Sequence, residues 1–104
     1  ANTDFFRKMK PGSYLINVGR GDLVIDDDLI AAVHAKHLAG ATLDVLNAEP
    51  LPAGHPFWQM PEIAITPHVS GWSLGDGVLD VAENYKRLIS DQPLLREIDR
   101  SLGY

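Results

Sequence analysis

Three short runs of nearly unbroken apolar character, residues 14–18 (YLINV), 41–45 (ATLDV) and 63–66 (IAIT), constrain this chain more than any other feature. A strand with one face in water alternates between apolar and polar residues. Runs that do not alternate point to a parallel sheet covered on both faces by helices. The spacing agrees. Between the first two runs, residues 26–37 read as a helix, with Asp26 as its N-cap, Asp27 and Asp28 at the positive end of its dipole, and Gly40 marking its stop. Strand, helix and strand within about 30 residues make a βαβ unit with a right-handed crossover. A short helix over residues 4–9, closed by Lys10, Pro11 and Gly12, precedes it. A helix over residues 76–90 follows, with Val78, Val81, Ala82, Tyr85, Leu88 and Ile89 on one face. The expected fold class is α/β, a parallel sheet with flanking helices.

Composition narrows what such a sheet can serve. With 104 residues the chain is at most one small domain. A net charge of −5 and the lack of a basic cluster give no electrostatic footing for nucleic acid or for an anionic membrane surface. No cysteine is present, so disulfides and zinc–thiolate sites are excluded, and the expected location is cytoplasmic. The opening Ala1, inside what reads as the middle of a helix, leads us to expect a piece of a longer protein.

One connection is out of proportion. Residues 47–61, between the second and third runs, hold four of the seven prolines, and a long irregular link in a compact domain is usually functional or disordered. In an open parallel sheet, ligands bind beyond the carboxyl ends of the strands. Just past the three strand ends come Arg20, Glu49 and His68. Singly, each residue type is more often a surface or structural residue. Together they bring a cation, a carboxylate and an imidazole to one edge: arginine grips a carboxylate bidentately, and a glutamate beside a histidine orients the ring for proton transfer. Asp44, a charge at the end of a buried strand, needs hydrogen-bond donors from a ligand amide or a loop backbone.

Other patterns carry less. VGRGDLV, residues 18–24, imitates the start of a dinucleotide fingerprint, but Val24 occupies the third glycine position. His34 and His37 stand three apart on a helix without a third metal ligand nearby in sequence, and Ser70 lacks the G-x-S-x-G elbow of a hydrolase nucleophile. Arg20-Gly21-Asp22 spells an adhesion tripeptide in a chain with no other sign of secretion.

INVGRGDLVIDDDLIAAV, AGATLDVLNAEPLP, HPFW and ITPHVSG, in that order, resemble the second half of the Rossmann-type NAD(P)-binding domain of the D-isomer-specific 2-hydroxyacid dehydrogenases. The likeness runs from about Phe5 to the end, and the tail PLLREIDRSLGY is similar to those of glyoxylate and hydroxypyruvate reductases within that family. The resemblance implies reduction of a small 2-oxo acid with NAD or NADP. Arg20 would bind the substrate carboxylate, His68 would be the acid/base and Glu49 its support. Asp44 would meet the nicotinamide carboxamide, and Val18, Gly19, Arg20, His68, Ser70 and Gly71 would complete the cofactor contacts. The whole of residues 1–104 would be a partial NAD(P)-binding domain, its last helix and tail packing toward a substrate domain, in a protein that is a homodimer when intact. Two departures stand out: VSGWSLGDG, residues 69–77, replaces a run of Ala and Thr found in many relatives, and no phosphate-binding G-x-G-x-x-G loop occurs in the chain. The alternative is a nucleotide- or partner-binding module without chemistry.

Overall fold

The computed structural model describes residues 1–71 and 74–97, and the chain divides into two compact units, residues 1–71 and 72–104. The first unit runs α1 (Thr3–Lys8), β1 (Ser13–Asn17), α2 (Asp26–His34), β2 (Leu38–Leu43) and β3 (Ile63–Ile65), with short 3-10 turns at Gly21–Leu23 and Pro56–Gln59. The strands form one parallel sheet in the order β1-β2-β3. Phe6, Leu29, Leu38, Leu43 and Phe57 are almost completely buried at its centre, joined by Val24, Val33, Ala41, Met60 and Ile63. Each large side chain so buried contributes roughly 1.5–3 kcal/mol.

The α/β reading is therefore correct, but several boundaries move. The helix expected over residues 26–37 ends at His34, and Lys36 adopts a left-handed φ of 55°. The reason is tertiary: His37 is drawn across to α1, where its Nε2 lies 2.9 Å from the Phe6 carbonyl and 3.1 Å from that of Met9. Gly40 is not the helix stop. It lies inside β2, where a Cβ would stand 2.2 Å from the Glu62 carbonyl oxygen, so glycine is required by the close approach of the chain entering β3. Asp26 is not the N-cap either; Ile25 holds that position without a side-chain bond, and the Asp26 carboxylate serves Asn47 instead. Nor is every strand covered on both faces. Tyr14 and Ile16 of the edge strand β1 are about half exposed or more.

In the second unit, α3 (Leu74–Ile89) begins two residues before the expected start. Its apolar residues Val78, Val81, Tyr85, Leu88 and Ile89 are all exposed, Val81 to 71%. The following segment returns along the polar side: Asn84 donates to the Leu95 carbonyl and accepts from the Leu95 amide, and Arg96 pairs with Asp80 at 3.0 Å. Trp72 and Ser73, within the departure at residues 69–77, and the tail from Ile98 onward lie outside the described residues.

Candidate active site

The strands end at Asn17, Leu43 and Ile65, one or two residues before the ends read from the sequence. Adjacent strands lie about 4.8 Å apart. Arg20, Glu49 and His68 therefore leave the same edge of the sheet from three neighbouring strands.

At the β1 exit, the backbone is held by a residue that the sequence reading passed over. Asn17, 6% exposed, donates from Nδ2 to the Arg20 carbonyl at 2.8 Å and accepts the Gly19 amide at 3.2 Å. Its signal was available: a polar residue closing an apolar strand needs partners, the same argument that singled out Asp44. The Arg20 guanidinium donates to the Gly19 carbonyl at 2.9 Å and, among the described residues, pairs with no carboxylate. Neither flanking glycine has a positive φ. Gly21 is needed because a Cβ would stand 2.1 Å from the Leu46 carbonyl oxygen, so the β1 and β2 exits pack backbone to backbone.

At the other two exits the side chains meet. Nδ1 of His68 donates to Oε2 of Glu49 at 2.8 Å, while Oε1 of Glu49 accepts the Leu46 amide at 2.8 Å. The imidazole proton at Nδ1 and the Leu46 N–H hold the Glu49 carboxyl below its ordinary range. Both side chains remain accessible, His68 to 50% and Glu49 to 38%. With Nδ1 committed, Nε2 is the ring nitrogen left for a ligand.

His68 itself has a left-handed φ of 55°, which costs a non-glycine residue roughly 1–2 kcal/mol. One carboxylate holds it there. Asp44, 3% exposed, accepts from the Thr66 hydroxyl, from the Val69 amide at 3.0 Å and from the Ser70 amide at 2.8 Å. The loop on both sides of His68 is thus tied to the end of β2. Hydrogen bonds from Ser70 and Thr66 drive the Asp44 carboxyl far below the usual carboxylate range. The loop backbone, one of the two donors expected from the sequence, satisfies this buried charge.

A pocket of about 400 Å³ opens beside the pair, lined by Asp44, Glu49, Thr66 and His68 and walled by apolar groups that include Leu51 and Trp58. Arg20 and Ser70 do not line it. Trp58 is anchored by Nε1, which donates to the Pro52 carbonyl at 3.0 Å.

One carboxyl edge of a parallel α/β sheet thus carries a carboxylate-backed imidazole, a saturated aspartate and an arginine that pairs with no carboxylate among the described residues, at the place where open α/β sheets bind ligands. The family model described as "D-isomer specific 2-hydroxyacid dehydrogenase, NAD binding domain" matches residues 1–70, and the chain belongs to that family. It is 40% identical to a glyoxylate/hydroxypyruvate reductase A of Photorhabdus laumondii and 42% identical to one of Serratia proteamaculans, in each case over 99% of this chain and 33% of the relative. The chain thus spans about a third of the length of these relatives. Among solved structures, it is similar to a D-isomer specific 2-hydroxyacid dehydrogenase from Xanthobacter autotrophicus in complex with NADPH and MES, with TM-score 0.90 and 36% identity, covering 99% of this chain and 43% of that one. A second is an NADPH-dependent glyoxylate/hydroxypyruvate reductase from Sinorhizobium meliloti in complex with NADP and sulfate, with TM-score 0.90 and 32% identity, covering 99% and 34%.

Proposed function

We propose that the intact protein reduces a small 2-oxo acid of the glyoxylate or hydroxypyruvate kind to the D-2-hydroxy acid with NADH or NADPH. The observation that carries this reading is the Glu49–His68 bond at the carboxyl edge of the sheet, the edge from which Arg20, paired with no carboxylate among the described residues, also emerges. A nicotinamide fits the donor and surface chemistry here: exposed Val18 and Gly19 present an apolar, open backbone at the β1 exit, and the 68–71 loop brings further small residues. Val18, Gly19, Arg20, Asp44, His68, Ser70 and Gly71 would hold it, Asp44 near the carboxamide. Bound there, a reduced nicotinamide would supply the hydride for the carbonyl carbon.

The chain's own groups do the rest. Arg20 pairs with the substrate carboxylate through its planar fork and polarises the 2-oxo group. His68, protonated, donates from Nε2 to the carbonyl oxygen, and Glu49 at Nδ1 keeps the ring aimed. The net change is one hydride to carbon and one proton to oxygen.

Two further features belong to the same reading. Residues 1–104 form part of the NAD(P)-binding domain, and the exposed apolar face of α3 packs against a substrate domain. The intact protein is read as a cytoplasmic homodimer; a cysteine-free chain needs no oxidising compartment. Incubating the intact protein with NADPH or NADH and glyoxylate or hydroxypyruvate, and following the loss of reduced nicotinamide absorbance, tests the function. Turnover is expected, and no turnover of any short 2-oxo acid would overturn it.

A further inference from the structure

Glu49 sits in a connection without regular secondary structure on either side, yet it meets His68 within a hydrogen bond. Contacts at the start of α2 account for this. Asn47 Nδ2 donates to the Val24 carbonyl at 2.9 Å and to Oδ1 of Asp26 at 2.8 Å, which uses both of its amide hydrogens. The other carboxylate oxygen, Oδ2 of Asp26, lies 3.5 Å from Nε2 of His55, with both side chains mostly buried. Nδ1 of His55 accepts the Phe57 amide at 3.3 Å, so the neutral ring carries its proton on Nε2, the nitrogen that lies 3.5 Å from Asp26 in a contact of ion-pair range. One carboxylate in the first turn of α2 therefore receives groups from positions 47 and 55, which bracket Glu49. Six residues before that carboxylate stands Arg20.

We infer that Asp26, Asn47 and His55 form a positioning clasp that draws both ends of the 47–55 segment onto the start of α2, seats Glu49 against His68 and keeps that pair in register with Arg20. The inference rests on the roles proposed above for Arg20, Glu49 and His68. The three clasp residues act through Glu49. A displacement of about 1 Å at a reacting group can cost on the order of a hundredfold in rate, so the clasp is a determinant of turnover and not of cofactor affinity.

The competing account is that His55 only caps the 3-10 turn at Pro56–Gln59 through Nδ1. Two substitutions in the intact protein separate them. His55→Asn keeps a short acceptor for the Phe57 amide but cannot reach Asp26; His55→Gln reaches Asp26 with an N–H donor but loses the short acceptor. The expected result is a fall in kcat of about tenfold or more for His55→Asn with the NADPH KM unchanged, and a fall of no more than about threefold for His55→Gln. In an Asp26→Asn background, His55→Asn should add little further loss, because the two act as one unit. Amide exchange at Leu46, whose N–H donates to Glu49, reads the seating without any turnover and should quicken in His55→Asn only. If the unaltered protein reduces no 2-oxo acid, the proposed function fails and the exchange at Leu46 alone decides the clasp. Unchanged exchange and kcat in His55→Asn, or greater loss in His55→Gln than in His55→Asn, would overturn it.

Discussion

The β1 exit and the β2/β3 exits solve opposite problems. At the β1 exit Asn17 fixes the backbone around Arg20, while among the described residues the guanidinium bonds to the neighbouring Gly19 carbonyl and to no carboxylate. At the other exits the side chains themselves are fixed: Glu49 spans Leu46 and His68, and Asp44 ties down the chain around the imidazole. A group that grips a charged ligand must keep its donors free. In the proposed reaction, a group that passes a proton through one nitrogen is best aimed when the other nitrogen is committed. The same edge therefore holds one group open and the other preorganised.

The largest effect expected from breaking this contrast is at His68. His68→Ala in the intact protein should lower kcat for 2-oxo acid reduction by about 10²–10⁴-fold, the range of general acid–base catalysis, with NADPH affinity by calorimetry little altered. Near-normal turnover would favour the binding-module reading. Arg20→Lys keeps the charge but loses the fork and should raise the substrate KM on the order of ten- to a hundredfold in steady-state kinetics. Unchanged KM and kcat would remove Arg20 from the site.

The seam between the exits should respond through stability. Gly21→Ala drives a Cβ into the Leu46 carbonyl, and the backbone shift needed to relieve it should cost about 1–3 kcal/mol in denaturant unfolding. The smallest effect is electrostatic. Folding lowers the Glu49 carboxyl from its ordinary 4.5, so its stabilising contribution is fully present above that value and is lost as the pH falls through the lowered folded value. Glu49→Gln should flatten the pH dependence of stability in that acid window, as measured by melting temperature. An unchanged slope would mean that the exposed pair contributes nothing to folding.

How legible these features were depended on how far apart the participating residues lie. Arg20, Glu49, His68 and Asp44 could be picked out because each follows an apolar strand at short range, and three parallel strands must end on one edge. The early end of α2 could not be read so, because His37 is pulled toward carbonyls about 30 residues upstream, at Phe6 and Met9. Asp26 misled for the same reason: its cap-like position is local, but its partners, Asn47 and His55, arrive from the β2–β3 connection. In α3 the pattern identified the helix and its apolar face but not what covers that face.

The amino-acid sequence by itself determined the α/β class, the order of the strands and helices and the family, because apolar period, turn residues and ordered motifs are local properties of the chain. Tertiary structure alone decided that Glu49 bonds His68 across 19 positions, that Asp44 is satisfied by the loop it steadies, and that Gly21 is there for the Leu46 carbonyl. Hydrogen bonds and close backbone contacts of this kind depend on distances of a few tenths of an ångström between remote segments, and those distances exist only once the core has packed.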